Sequence, residues 1–335
     1  MMKLRRCKGA AKCPRSLILG LLFLFLSLCV TAVFAAVGPF TERVSVSTAG
    51  AEGDSGSGSV AISGDGRFVA FQSFAANLVA GDTNGVADVF VRDRQTGTTE
   101  RVSVSSGGAQ GNGFSFDPAI SADGRWVAFA STATNLVAGD TNGFTDVFVH
   151  DRQTGTTERA SLSIFGDQGD GNSFGPSISA DGQCVAFTSG ATNLLGFGQP
   201  AGPLGVGMGP GPGDTNGFCD VFVRDLQAAT TERVSVSSTG EEGDDDSQDA
   251  DISADGRFVA FDSEATNLVS NDVNGANDVF VHDRQTGVTE LVSVNCVAGG
   301  GANGDSFSPC LSADGQQVAY CSFATDLIPD RKSVV

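Results

Sequence analysis

Tryptophan and tyrosine occur once each in 335 residues, histidine twice and methionine three times. So few histidines leave little material for an imidazole-based metal or catalytic centre. Both, His150 and His282, stand where sister segments carry Arg92 and Arg224, and they read as solvated strand-end residues. Cysteine offers no framework either. Cys7, Cys13 and Cys29 belong to the N-terminal leader, and Cys184, Cys219, Cys296, Cys310 and Cys321 show no Cys-x-x-Cys spacing of the metal type. Basic residues are scarce beyond the leader. The first 35 residues hold six Lys/Arg and no acid, which leaves 14 basic residues against 39 acids. Such a surface repels nucleic acid and anionic lipid, so neither is an expected partner of the exported part. No segment after the leader carries a 3.6-residue apolar period of useful length, which excludes a helical domain.

What is present begins with the leader. Six basic residues precede an uncharged apolar run from Leu17 to about Val37, closing on small residues near Ala35. Residues 1–35 therefore read as a signal peptide or as an uncleaved N-terminal membrane anchor. Either way the rest of the chain is exported: periplasmic, extracellular, or anchored at the outer side of the cytoplasmic membrane.

Beyond it the chain repeats itself. "ISGDGRFVAF" starts at Ile62, "ISADGRWVAF" at Ile120, "ISADGQCVAF" at Ile178, "ISADGRFVAF" at Ile252 and "LSADGQQVAY" at Leu311. The one long interval holds a Gly/Pro-rich insertion after Leu194. Four short strands can be read in each unit. One ends at "AIS", "RFVAF" is the second, "DVFVRD" the third, and "TERVSVS" the fourth, with "ADG" and "RQTG" as tight turns. Strands such as "FVAF", apolar on both faces, must lie between two neighbouring sheets.

Four antiparallel strands per unit of this length make the blade of a β-propeller. The sequence thus predicts an all-β propeller over 41–335. Its units span about 57–106, 114–164, 172–238, 246–296 and 305–335. The last is either incomplete or closed by an N-terminal strand, Thr41–Ser47. Cys184 and Cys219 should fall at opposite ends of one blade, and Cys310 and Cys321 flank one hairpin. The "ISADGRFVAF…DVFVRDRQTG" unit resembles the WD-like repeat of TolB-type propellers over about residues 41–322. That resemblance implies the propeller fold. It implies no single function, because such blades serve periplasmic binding proteins, peptidase accessory domains and lyases. The α/β domain that precedes the propeller in TolB is not seen here, and the loop from second to third strand is longer.

That loop holds the candidate site residues. Four copies of Asp-x-Asn-Gly-x-x-Asp supply Asp82, Asn84 and Asp88; Asp140, Asn142 and Asp146; Asp214, Asn216 and Asp220; and Asp272, Asn274 and Asp278. Alternate Asp/Asn positions in a glycine-containing loop can give calcium the hard oxygens it needs. The EF-hand pattern fails, since the fifth position is Val86, Phe144, Phe218 or Ala276. Equally, Asn-Gly makes a tight turn and Asp can bond its own backbone, so a purely structural loop is the competing reading. Asp65, Asp123, Asp181, Asp255 and Asp314 in the "ADG" turns are expected to close hairpins. No serine sits in a nucleophile-elbow context, and no unique catalytic set stands out. The expected function is an exported binding or scaffold module, calcium-stabilised, with a protein or glycan ligand at the loop face. The alternative is a carbohydrate-active or peptidase-related propeller enzyme. An enzyme should carry a polar cluster that breaks the repeat, and the one large break is Gly196–Gly213, which has no titratable side chain.

Overall fold

The computed structural model describes residues 41–196, 213–295 and 299–327. The leader, most of the Gly/Pro insertion and Cys296 lie outside the described residues. The chain divides into a unit over 1–42 and a unit over 43–335, and the second carries every described strand. Among the described residues no helix is long and apolar enough to cross a membrane.

The fold is a β-propeller of four complete antiparallel sheets and one partial one. Strands β1 (Ser57–Ile62), β2 (Phe68–Ser73), β3 (Asp88–Asp93) and β4 (Thr98–Arg101) form the first sheet in that order. The second holds β5 (Ser115–Ile120), β6 (Trp126–Ser131), β7 (Asp146–Asp151) and β8 (Thr156–Arg159). The third holds β9 (Ser173–Ile178), β10 (Cys184–Ser189), β11 (Asp220–Asp225) and β12 (Thr230–Arg233). The fourth holds β13 (Ser247–Ile252), β14 (Phe258–Ser263), β15 (Asp278–Asp283) and β16 (Val288–Leu291). The fifth has β17 (Ser306–Leu311) and β18 (Val318–Ser322). The first strands pack in sequence, β1 on β5, β5 on β9, β9 on β13 and β13 on β17.

The repeated motif explains why each hairpin closes. Ser63 Oγ donates to Asp65 Oδ1 at 2.7 Å, the same oxygen accepts the Arg67 N–H, and Ser63 Oγ accepts the Phe68 N–H. The same three bonds recur at Asp123, Asp181, Asp255 and Asp314, as expected of hairpin-closing residues. The glycine that follows has a second duty. Gly182, at φ +76°, lies so close under Trp126 of the preceding sheet that a Cβ would sit 2.2 Å from the indole. Only a residue without a Cβ allows both the left-handed turn and this stacking.

Each blade has two unlike apolar faces. Cross-strand phenylalanines stack on one: Phe71 on Phe90, Phe129 on Phe148, Phe187 on Phe222 and Phe261 on Phe280, at 5.8–6.1 Å. Alanine and valine form the other. The core lies between blades, where Ala70, Val89, Val91 and Val102 of the first sheet meet Val127, Phe129, Leu136 and Phe148 of the second. Large against small is how such layers interdigitate without voids.

The two ends differ from the middle. Thr48 Oγ1 bonds the Thr99 backbone just as Ser106 Oγ bonds that of Thr157, one repeat on. Residues around 43–53 thus stand to the first sheet as a blade-to-blade connector stands to the next. Within 41–47, Val46 forms a single bridge, to Glu52, and the fifth sheet has the order β17–β18. The four described cysteines of the propeller are free thiols. Cys184 lies opposite Asp225, at the far end of the β10–β11 pair from Cys219, as expected. Cys310 faces Ala319 and Cys321 faces Phe307, so the register of the last hairpin keeps those thiols apart.

Candidate functional site

Each long loop ends on an aspartate that opens the third strand. Asp88, Asp146, Asp220 and Asp278 are all fully buried. A serine just beyond the fourth strand donates its hydroxyl to each one: Ser103, Ser161, Ser235 and Ser293, at 2.5–2.7 Å. The loop asparagines shape the turn. Their Oδ1 atoms accept the N–H two residues on, from Val86, Phe144, Phe218 and Ala276. Their Nδ2 atoms donate to connector carbonyls of Gly111, Gly169, Gly243 and Ala302. Asn84, Asn142, Asn216 and Asn274 are therefore turn-formers that tie the loop to the connector.

The first aspartate of the loop brings a second carboxylate beside the strand-opening one. In three loops the fourth strand supplies a guanidinium to the pair. Arg101 Nη1 lies 3.4 Å from Asp82 and 3.5 Å from Asp88. Arg159 lies 3.0 Å from Asp140 and 3.3 Å from Asp146. Arg233 Nη1 is 2.7 Å from Asp220 and also contacts Glu242. In the first unit Gln110 Nε2 adds bonds of 2.7 Å to Asp82 and 3.1 Å to Asp88. In the third, Glu242 takes the place of that glutamine, and Asp214, Asp220 and Glu242 bring carboxylate oxygens within 4.8 Å of one another. Three such oxygens are a donor set for a hard divalent cation, and Arg233 already stands among them.

Burial controls the electrostatics. It pushes the carboxyls of Asp82, Asp146 and Asp214 above their ordinary value, and that of Asp220 up to about 6 despite Arg233. The structure thus brings each Asp/Asn/Asp set together inside its own loop. The fourth loop has no arginine in its fourth strand, because Leu291 occupies that position.

The opposite end of the blades has its own staples. Arg67 binds Asp93 through two nitrogens at 3.0 and 2.6 Å, and Arg125–Asp151 and Arg257–Asp283 repeat the fork. These guanidinium bonds hold the three carboxyls well below the usual range. The histidines differ from expectation. His150 and His282 are buried, not solvated, and each ring Nδ1 meets a threonine hydroxyl, Thr157 or Thr289. Burial lowers both, His282 to about 4, so each is a neutral core residue at the place where Arg92 and Arg224 bond Thr99 and Thr231.

One polar cluster escaped the sequence reading. Asp262, only 1% exposed, accepts from Asn277 at 2.8 Å and from the Ser308 N–H at 3.1 Å. Asp251 joins three sheets: it accepts from Ser177 Oγ of the third and from the Leu311 N–H of the fifth, at 2.7 Å each. The signal lay in the repeat columns. Asp262 replaces Gln72, Ala130 and Thr188, and Asp251 replaces Ala61 and Ala119. The Asn277 bond stays within the fourth blade, while those to Ser177, Ser308 and Leu311 tie that blade to the third and fifth.

No family model and no curated protein matches the sequence. Among solved structures the chain is similar to TolB from Acinetobacter baumannii, with 20% identity over 81% of this chain and 52% of that one, at a TM-score of 0.46. It is similar to putative TolB from Agrobacterium tumefaciens, with 17% identity over 78% of this chain and 73% of that one, at 0.44. It is also similar to oligogalacturonate lyase from Vibrio parahaemolyticus, with 13% identity over 79% and 57%, at 0.44. The chain spans about half the length of the first of these. At such identities the likeness is one of fold alone, and the β-propeller itself stands on the sheets described above.

Proposed function

We propose that this chain is an exported binding or scaffold module that takes a protein ligand on the loop face of its propeller. The observation that carries this is where its phenylalanines lie. Phe74, Phe114, Phe144, Phe165, Phe218 and Phe323 are the exposed ones among the described residues, at 38–75%. All six lie in or beside the long loops and connectors, at one end of the blades. Solvent-facing aromatics gathered on one face are the usual composition of an interaction surface. The surrounding surface is acidic, so the fitting ligand is a protein segment that is both basic and apolar.

The acids of that face are engaged in ion pairs and turns, which favours binding over catalysis. Calcium enters this reading as a structural ion of the one loop without a resident arginine, and not as a reagent. Export by the leader of residues 1–35 is part of the same proposal. A glycan ligand, stacking on the same rings, is the competing form of the binding reading, and a propeller enzyme acting on a glycan or a peptide is the alternative in kind.

Peptide and glycan arrays probed with the purified propeller test this. Peptides combining basic and apolar residues should be retained, more weakly at high salt, and a Phe144→Ser/Phe218→Ser variant should lose at least tenfold in affinity. Retention of glycans instead, or cleavage of an arrayed substrate, would overturn it.

A further inference from the structure

The fourth repeat departs from the other three at two coupled places. Its fourth strand reads "VTEL" where the others read "TTER", so Leu291 stands where Arg101, Arg159 and Arg233 stand. Its connector places Gly301 at the bridge position held by Gln110, Gln168 and Glu242. The guanidinium is lost, and so is the side chain that reaches back from the connector.

The carboxylates remain. Asp278 is fully buried, accepting from Ser293 Oγ and Asn274 Nδ2 at 2.5 Å each. Asp272 is 6% exposed, and its Oδ1 is buried without any hydrogen-bond partner. Among the described residues neither forms a salt bridge, whereas an arginine bridges both aspartates in the first two loops and binds Asp220 and Glu242 in the third. A buried pair of acids with an orphaned oxygen is a costly arrangement unless a cation joins it. Three sister loops show what that cation is when the chain provides it, and the fourth has lost both the guanidinium and the connector side chain while keeping the two carboxylates.

We propose that the fourth loop binds one hard divalent cation through the carboxylates of Asp272 and Asp278, at the place the guanidinium occupies in the other loops. The donors are oxygens only, which selects ions of the calcium and magnesium class over thiophilic metals. The Asn274 amide is engaged with Ala276, Ala302 and Asp278, so water completes the coordination. The site rests on the reading of the loops as calcium-stabilised and not on what the loop face binds, so its failure would leave the array result untouched.

The experiment adds calcium chloride to the chelator-treated full chain, followed by calorimetric titration and thermal melting. One ion per chain should bind, and the melting temperature should rise by roughly 4 °C at calcium 100-fold above its Kd. Asp272→Asn should weaken calcium by at least tenfold. Leu291→Arg restores the resident guanidinium, so it should raise the melting temperature in chelator and abolish the calcium response. That second variant separates a lost site from a misfolded chain. No calcium response in the parent protein, or an undiminished one in Leu291→Arg, would overturn the proposal.

Discussion

Replacing Arg159 by leucine should cost the propeller about 3–5 kcal/mol, an effect out of proportion to the change of one strand residue. The side chain is only 4% exposed and lies between Asp140 and Asp146, themselves 3% and 0% exposed. It also sits over the Phe148 ring, 5.8 Å from its centroid. Removing one partner of a buried ion pair leaves the other's desolvation uncompensated, and here two carboxylates would be stranded. The control is to neutralise all three: Arg159→Leu with Asp140→Asn and Asp146→Asn should recover much of the loss. Denaturant midpoints for parent, single and triple variants check this. A single variant within about 1 kcal/mol of the parent would mean that the guanidinium is ornamental.

The second large effect is on pH dependence. Burial pushes Asp220 and Asp262 up to about 6, against an ordinary value of 3.8. A carboxyl whose folded pKa exceeds its unfolded one holds its proton more tightly when folded. Its contribution is therefore gained as pH falls from about 6 toward 3.8 and lost as pH rises through 6. At about 1.4 kcal/mol per pKa unit, each carboxyl contributes on the order of 2–3 kcal/mol as an upper bound. Asp93, Asp151 and Asp283, held low by their arginines, act in the opposite sense: their stabilisation is lost as pH falls below 3.8. Stability should consequently peak near pH 4, be higher at pH 5 than at pH 8, and fall on further acidification. Asp262→Asn should flatten the upper side of the profile. Urea melts at pH 5 and 8 read this directly, and a profile that only declines on acidification would contradict it.

Much of the fold was legible in the sequence because the repeat writes each strand several times. "DVFVRD" predicts β3 and β11 residue for residue, and the Ser-x-Asp-Gly turns close as their chemistry requires. The candidate loops were legible as loops but not in their electrostatics. Asp82 and Asp88 look like metal ligands when no cation is in view, since their partner Arg101 lies 13 residues beyond Asp88. Only the β3–β4 register, Phe90 opposite Arg101, brings it back. The same column held the informative departure, a single Arg-to-Leu change at 291, hidden among strand residues that a strand reading treats alike. His150 and His282 were misplaced for a related reason. A strand-end position reads as solvated, but the neighbouring connector covers it, as the Thr157 hydroxyl on the Val104 carbonyl shows.

Hydrogen exchange across the whole propeller, in chelator, tests the central claim that the loops of the first three blades are locked by a resident arginine that the fourth lacks. The amides of residues 82–88, 140–146 and 214–220 should be protected, those of 272–278 should exchange faster, and β17–β18 should open first, because a two-stranded sheet has the fewest partners. Equal protection of all four loops without added cation, together with a fifth sheet as slow as the rest, would contradict the account.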